Sequence, residues 1–517
     1  MKPELYGFHG GMRLEDHKTE SLTRNLQQAS LPAQLYLPLK QHIGDHNKPT
    51  VKVGERVLKG QVIATNASLI CAAVHAPDSG IVSAIGSYPV AHPSGQSDIC
   101  IVIDTDSNDQ AELSPVPVLT DSSPAELIEL ICRAGIVGLG GAAFPTAAKL
   151  SRADSQGVET LIINGVECEP YITCDDMLMR NYAAEVIRGA GYLQRILSPT
   201  ITLIGIENNK PEAIAAMRQA LLEHPLENTE IIGIPTKYPA GGEKQLIQIL
   251  TGWEVPVTQF AFDIGILCQN VGTCVAITAA LEKSEPLISR VVTISGDNIR
   301  YPGNWEVALG TPISHLVELA GGYLEDSVHL VMGGPMMGFS LSSDRVPIVK
   351  ASNSILVMRE QTMPQTPGYH DECIRCGKCT EVCPAQLLPQ QLYWHARAQA
   401  YESSQAFNLF DCIECGCCSA VCPSRIPLVQ YYRAAKSDIR AAHKAQFKSD
   451  RSRLRFEFRE QRLLLKKQQD DERKRLKREA LQKKRPESQT DKREVDLVQA
   501  ALDRVKARKK ALEQESQ

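Results

Sequence analysis

The spacing of apolar side chains changes character several times along this chain. Residues 41–104 alternate apolar and polar positions over short runs cut by glycine turns, and two stretches match as hairpin halves: 51–64 (VKVGERVLKGQVIA) and 75–82 (HAPDSGIV). From about 123 to 288 a helical period at Leu127–Ala134 gives way to short β-rich runs at 161–164, 201–205 and 231–234. That alternation predicts an α/β domain with glycine-rich turns where strands meet helices. Residues 290–358 read as a strand (290–296), a helix ending at glycine (310–322), a strand (Val328–Met332) and a second glycine turn, 333–338 (GGPMMG). A Pro/Gln/Thr linker, 361–368, comes next, then a helix over Gln390–Phe407 with Leu392, His395, Ala396 and Gln399 on one side.

At 517 residues the chain is long enough for three or more domains, and 43% hydrophobic with 22% charged residues is ordinary for a soluble protein. The opening MKPELYGFHGG has no apolar stretch of the kind a secretory signal needs. The longest apolar candidate, Ala261–Leu281, is interrupted by Asp263, Gln269, Asn270 and Thr273, short of the roughly 18 uninterrupted residues of a spanning helix. A cytoplasmic chain follows, with membrane contact at most peripheral. The net charge of −4 conceals a division: from Arg440 onward there are 25 Lys+Arg against 14 Asp+Glu, leaving 31 against 46 before it. An acidic body thus carries a basic tail of helix-forming composition, which is either a solvated or disordered segment or an arm for an anionic membrane face or partner. No aromatic interleaving or recognition module supports nucleic-acid binding.

Nine of the sixteen cysteines lie between residues 373 and 422, in two strings: Cys373-x2-Cys376-x2-Cys379-x3-Cys383-Pro384 and Cys412-x2-Cys415-x2-Cys418-x3-Cys422-Pro423. This is ligand spacing for two [4Fe–4S] clusters in a reducing compartment, the fourth cysteine of each string serving the other cluster. Cluster one is then assigned to Cys373, Cys376, Cys379 and Cys422, and cluster two to Cys412, Cys415, Cys418 and Cys383. Cys417 fits neither spacing and reads as a packing thiol. The helical spacer between the strings favours a helical dicluster domain over a compact β-rich ferredoxin.

The other informative motif is 138–149 (GLGGAAFPTAAK). Glycines let a backbone approach a phosphate, a following helix N-terminus offers free N–H donors, and Lys149 adds a cation. It is followed by Asn164-Gly-Val-Glu167-Cys-Glu169, Tyr238-Pro-Ala-Gly-Gly-Glu243-Lys244 and Asn270-Val-Gly-Thr273. With these motifs the chain resembles the flavin-binding, NADH-oxidising subunit of respiratory complex I, and over roughly residues 1–435 it resembles more closely the C-subunit family of Rnf (Rsx) ion-translocating electron-transport complexes. The hairpins of the first domain resemble a biotinyl/lipoyl-type barrel-sandwich lacking a carrier lysine, and 290–358 resembles an SLBB β-grasp domain.

The resemblance implies six segments: an N-terminal arm (1–40), a barrel-sandwich domain (41–112), an FMN/NADH-binding α/β domain (113–288), the SLBB domain (289–358), the dicluster domain (359–435) and a basic tail (436–517). It implies that Gly138, Gly140, Lys149, Asn164, Glu167, Tyr238, Asn270 and Thr273 surround FMN. Gly141, Phe144, Glu169, Glu243 and Lys244 would lie near NADH. Val166 and Gly242 stand where the complex I pattern has acidic residues. Set apart from the resemblance, Glu167 and Glu169 also read as surface or helix-capping carboxylates. A flavin accepts a hydride's two electrons together and releases them singly to clusters. The implied function is a peripheral subunit on the cytoplasmic face of the bacterial inner membrane, passing electrons between NADH and the integral-membrane and iron–sulfur subunits of an ion-pumping complex. Two other readings are a soluble flavin–iron–sulfur reductase, such as a microcompartment cobalamin reductase, and a cluster-bearing scaffold whose nucleotide site is inactive.

Overall fold

The computed structural model describes residues 4–68, 70–106, 111, 119, 122–257, 259–360, 371–483 and 492–514. The linker at 361–368 and the boundary at 112–113 lie outside these residues. The chain divides into two units, Met1–Lys436 and Ser437–Gln517.

In the first unit, a four-stranded sheet (order Gln34–Pro38, Ser97–Thr105, Gly80–Pro89, Arg56–Val57) faces a three-stranded one (Lys48–Pro49, Val62–Thr65, Val74–His75). Between them lie Leu37, Val57, Ile63, Val82, Ile101 and Ile103, the inward positions of the alternating pattern. The turn at 77–80 is no exposed carrier tip: Asp78 and Ser79 are buried, and a Cβ at Gly80 would stand 2.2 Å from the Asp104 carbonyl oxygen.

The next domain is built on a parallel sheet in the order Thr229–Ile234, Ile201–Glu207, Thr160–Gly165, Ile266–Asn270. Its strands are near-continuous apolar runs because helices cover both faces. Ser123 starts the helix Pro124–Arg133 with a reciprocal capping box to Glu126. Chain order reverses between Thr160–Gly165 and Ile266–Asn270, which opens a crevice at their carboxyl ends, where ligands bind in such sheets.

The third domain is a six-stranded sheet whose helix, Ile313–Leu319, ends at Gly321 and Gly322, both at positive φ as an αL cap requires. In the dicluster domain the two cysteine strings take the same backbone course. Arg375, Gly377 and Gln386 have positive φ, as do their counterparts Glu414, Gly416 and Arg425. The predicted helix over Gln390–Phe407 is in fact two, Pro389–Arg397 and Tyr401–Ala406, because Gln399 adopts a left-handed conformation (φ 55°) between them. Leu392 and Ala396 are buried as the pattern implied, whereas Gln399 is exposed.

The segment read as an arm is woven through the body. Gln34–Pro38 pairs with Ser97–Thr105 because its alternation places Leu35 and Leu37 inside, and Gln27–Gln28 pairs with Gly303–Ala308. Met12 forms an antiparallel bridge with Tyr238, and the Gly11 amide donates to the Val382 carbonyl at 2.9 Å. The buried Lys18 ammonium donates to the carbonyls of Glu167 (2.9 Å), Glu169 (3.0 Å) and Ile172. In the second unit, Ser437–Gln517, helix extends to Lys483 and resumes over Lys492–Gln514.

Replacing Lys18 with Met would strand the Glu169 and Ile172 carbonyls, leave the Glu167 carbonyl only the longer contact from Lys210 at 3.4 Å, and remove a cation beside the Glu167 carboxylate, a loss of about 3 kcal/mol. We expect a lower urea midpoint with retained helical circular dichroism. An unchanged midpoint would remove Lys18 from this role.

Candidate functional site

At the carboxyl ends of Thr160–Gly165 and Ile266–Asn270 lies a cavity of about 670 Å³, within the range of small-molecule and cofactor sites. Twelve of the thirteen residues singled out in the sequence for flavin or nucleotide line it, from Gly138 through Asn270; Thr273 does not. Its hydroxyl accepts the Leu139 amide at 3.0 Å, so it holds the glycine-rich loop from behind. The two sets assigned to FMN and NADH share one space: Lys149, from the first, donates to Glu243, from the second, at 3.1 Å and to the Cys268 carbonyl at 2.7 Å.

The glycine loop needs a glycine at one point. Gly141 sits at φ +101°, a conformation that other residues rarely adopt, whereas a Cβ at Gly140 would make only ordinary contact with Asn270, at 3.5 Å. The helix Thr146–Gln156 that follows begins at Pro145 with no side-chain cap, and Glu243–Thr251 likewise begins uncapped at Gly242. The Thr146 amide donates to the Ile136 carbonyl at 3.0 Å, and the remaining first-turn amides of the two helices are available to an anion. A third helix, Val271–Lys283, is capped by Asn270, whose Oδ1 accepts the Gly272 amide while its Nδ2 donates to Asp175 at 2.7 Å. The cavity wall also holds three buried polar atoms without partners: Thr146 Oγ1, Gln245 Oε1 and Gln269 Nε2. Such orphans in a polar, roomy cavity fit a ligand rich in hydrogen-bonding groups, as a flavin mononucleotide is.

The carboxylates behave differently from one another. Glu167, at φ 50°, accepts the amides of Asp175 (2.6 Å) and Asp176 (3.2 Å) and so caps the helix Cys174–Asn181. Burial pushes its carboxyl up to about 7, although the Lys18 ammonium 4.0 Å away favours the charged form. Glu169 is also raised by burial, against the Met336 (2.7 Å) and Met337 (2.9 Å) amides it accepts. It thereby clamps the 333–338 turn of the third domain, and Gly334 is required there because a Cβ would fall 1.9 Å from Glu169 Cγ. The capping reading thus describes Glu167 well, and both carboxylates still border the cavity. Val166 lies in the apolar core beneath, among Ile162, Ala240 and Cys268, whereas Gly242 lines the cavity. Sequence reasoning missed Lys18, Thr146, Asp175, Gln245 and Gln269. It also left the 333–338 turn as mere punctuation, although its glycines were a signal of close backbone approach.

The cysteines gather into two groups. Cys373, Cys376, Cys379 and Cys422 line one cavity with Ile374, Tyr393 and Leu428, and Cys383, Cys412, Cys415 and Cys418 line another with Leu392, Ile413 and Tyr432. The fold thus brings together the same two crossed sets of thiols that the spacing suggested. None of these cysteines is in a disulfide, and burial pushes Cys412 up to about 11, so a thiolate there calls for a metal's positive charge. Amides of Leu387 and Glu414 point at the sulfurs of Cys383 and Cys412, at 3.4 Å each. Four thiols in an apolar shell with N–H···S donors suit an iron–sulfur cubane. Cys417 lines neither cavity and packs, fully buried, against Tyr238.

The cavity of about 670 Å³ and the second cysteine group adjoin. Ile413 lines both, and the buried Tyr238 hydroxyl donates to the Cys415 carbonyl at 2.6 Å. Lys436 donates to the Cys412 carbonyl, and Arg433 ties Glu414 to the Met337 carbonyl of the clamped turn. In the second group three of four cysteines are buried, whereas in the first Cys376 is exposed.

Family models match in the same order: an RnfC barrel sandwich hybrid domain over residues 6–108, a Nuo51 FMN-binding domain over 131–279, an SLBB domain over 291–340 and a 4Fe-4S dicluster domain over 372–426. Relatives named as C subunits of an ion-translocating oxidoreductase complex include one from Serratia proteamaculans, 47% identical over 98% of this chain and 70% of its own length. One from Pseudomonas aeruginosa is 47% identical over 98% of this chain and 66% of its own length. The chain thus spans about two thirds of the length of these relatives. An NAD+-reducing [NiFe]-hydrogenase structure overlaps 63% of the chain and 63% of its own at 17% identity, with a TM-score of 0.43. FMN and two [4Fe–4S] clusters are the cofactors of these domains. With four domains in this order and 47% identity over 98% of this chain to named relatives, the chain belongs to the family of C subunits of ion-translocating oxidoreductase complexes.

Proposed function

We propose that this chain is the peripheral subunit through which electrons pass between NADH and the remaining subunits of an ion-translocating complex at the cytoplasmic face of the bacterial inner membrane. The observation that carries this reading is the continuity from the flavin cavity, across Ile413 and the Tyr238–Cys415 hydrogen bond, to the buried cysteine group and then the partly exposed one. FMN, when bound, supplies the conversion between two-electron hydride chemistry and one-electron cluster chemistry. The uncapped helix starts at Thr146 and Glu243, with Lys149, would hold its phosphate. Thr146, Gln245 and Gln269 would meet polar groups that lack partners otherwise. Glu243, Lys244 and Phe144 would border the nicotinamide nucleotide in the same cavity. Cys383, Cys412, Cys415 and Cys418 would ligate the inner cluster, and Cys373, Cys376, Cys379 and Cys422 the outer one. The outer group's exposure makes it the side facing iron–sulfur and integral-membrane partners. Among the described residues no helix is long and apolar enough to cross a membrane, which accords with a peripheral place. The names of the relatives support a member of such a complex over a free-standing cobalamin-type reductase.

Changing Lys149 to Ala removes one charged hydrogen bond, so FMN affinity should drop roughly tenfold or more while iron content holds. Equal flavin retention would take Lys149 out of the site. Crossed ligation gives a sharper outcome. Cys422→Ser should perturb the electron paramagnetic resonance of the outer cluster, served otherwise by the first string, and Cys383→Ser that of the inner one. Each substitution acting on its own string's cluster would contradict the pairing. Tyr238→Phe breaks the bond to the Cys415 carbonyl and should shift the inner cluster's reduction potential, leaving the outer one in place. A shift of both, or neither, would deny Tyr238 that specific role.

A further inference from the structure

The helix beyond the cluster domain carries a pattern that electron transfer does not use. Starting at Lys444 and stepping 4, 3, 4, 4, 3, 4, 3, 4 and 4 residues, every position reached is lysine or arginine except Gln469, ending at Lys477. At 100° per residue these positions fall on one side of the helix, a basic ridge about 50 Å long. Directly beside it runs an apolar stripe of Phe447, Leu454, Phe458, Leu465 and Leu476, each at least half exposed, while Phe456, Leu463, Leu464 and Leu481 are exposed on other faces. The acidic residues of 440–483 all lie off the ridge, with Asp470 at its edge and Glu472 within the arc of the stripe.

Ion pairing follows the same division. The cations that pair with Asp450, Glu457, Asp471, Glu472 and Glu479 are Arg453, Lys474 and Arg475, all off the ridge. Among the described residues no ridge cation forms an ion pair. A helix stabilised only by its own charges would distribute its pairs around the surface. Here the cations of one face are left open, next to large apolar side chains.

We propose that this face, 444–477, lies on an anionic lipid surface, with the phenylalanine and leucine stripe at the headgroup–acyl boundary and the ridge against lipid phosphates. An interfacial helix needs these two features together on one face, and attraction to anionic lipid scales with the number of nearby cations. A nucleic acid would engage the ridge and leave the stripe in water. An acidic protein groove is the remaining occupant, and the stripe's sparse spacing, one residue every one to three turns, suits a shallow lipid boundary better than a packed helix–helix seam. The assignment rests on the membrane-side placement proposed above, and it names the part of the chain that meets the bilayer.

Flotation of the purified full-length chain, without partner subunits, tests this directly. It should float with vesicles of phosphatidylcholine doped with phosphatidylglycerol, not with phosphatidylcholine alone, and high salt should release it. Substituting Gln at Lys448, Arg455, Arg459 and Arg462 should cut the bound fraction about tenfold or more. Gln at the off-ridge Arg453, Lys474 and Arg475 should change it little, and Ser at Phe447 and Phe458 should also weaken binding. Circular dichroism and iron content check that each variant is folded. Absence of binding to anionic vesicles, equal loss in ridge and off-ridge variants, or capture by an acidic protein in place of vesicles would each overturn the assignment. NADH-dependent cluster reduction and co-fractionation of the complex with cell membranes are separate readouts, so failure of the proposed electron-transfer role is distinguishable from failure of the lipid contact.

Discussion

The short loop between the strand Thr160–Gly165 and the helix Cys174–Asn181 is where the body of this protein is tied together. It turns its peptide carbonyls inward to the buried ammonium of Lys18, with the buried Lys210 also reaching the Glu167 carbonyl at 3.4 Å, and sends out two carboxylates in different directions. Glu167 closes the next helix of its own domain, while Glu169 seizes the amides of the 333–338 turn. Buried charges are costly unless paired and hydrogen-bonded, so this loop holds its shape only while the N-terminal segment and the SLBB turn are both in place. The flavin cavity takes part of its wall from the same loop. Domain packing and site geometry are therefore one constraint.

That constraint also fixes which cysteine group lies next to the cavity. The clamped turn touches the inner cysteine loop, since a Cβ at Gly416 would stand 2.7 Å from the Met336 carbonyl oxygen. Arg433 bonds both to that turn and to Glu414, and Tyr238 reaches the Cys415 carbonyl from the flavin side. The buried group of thiols is thereby fixed against the cavity, leaving the partly exposed group as the outer end. Burial, one of the factors that govern cluster potential, differs between the two groups: three of the four inner cysteines are buried, and Cys376 of the outer group is exposed.

Much of this was legible from residue spacing, for physical reasons. Cluster ligands must sit a few residues apart, so the strings pointed to both groups of thiols and their crossing. Phosphate-binding backbone must lack side chains, so 138–141 pointed at the cavity. Short apolar runs announced three of the four strands of the parallel sheet, and Ile266–Asn270 went unread. What stayed hidden depends on tertiary approach. Lys18 stands in a polar stretch with no periodicity, and nothing local says that it is buried 149 residues away in sequence from its partner Glu167. Gln34–Pro38 read as arm because a five-residue strand shows little of its pairing. Thr273 was taken for a ligand contact because a hydroxyl near a glycine loop looks alike whether it faces the ligand or the loop. Gln399 broke a helix that the apolar spacing alone would have continued.

The central claim, that one chain links a flavin nucleotide to two cubane clusters in sequence, is tested most directly by one anaerobic measurement on the reconstituted protein. Iron, acid-labile sulfide and flavin are quantified, and the cluster absorbance is followed on adding NADH. The account predicts about eight irons, about eight sulfides and one FMN per chain, with NADH bleaching the clusters only while flavin is bound. Full iron content with no flavin, or clusters that NADH never reduces, would contradict it.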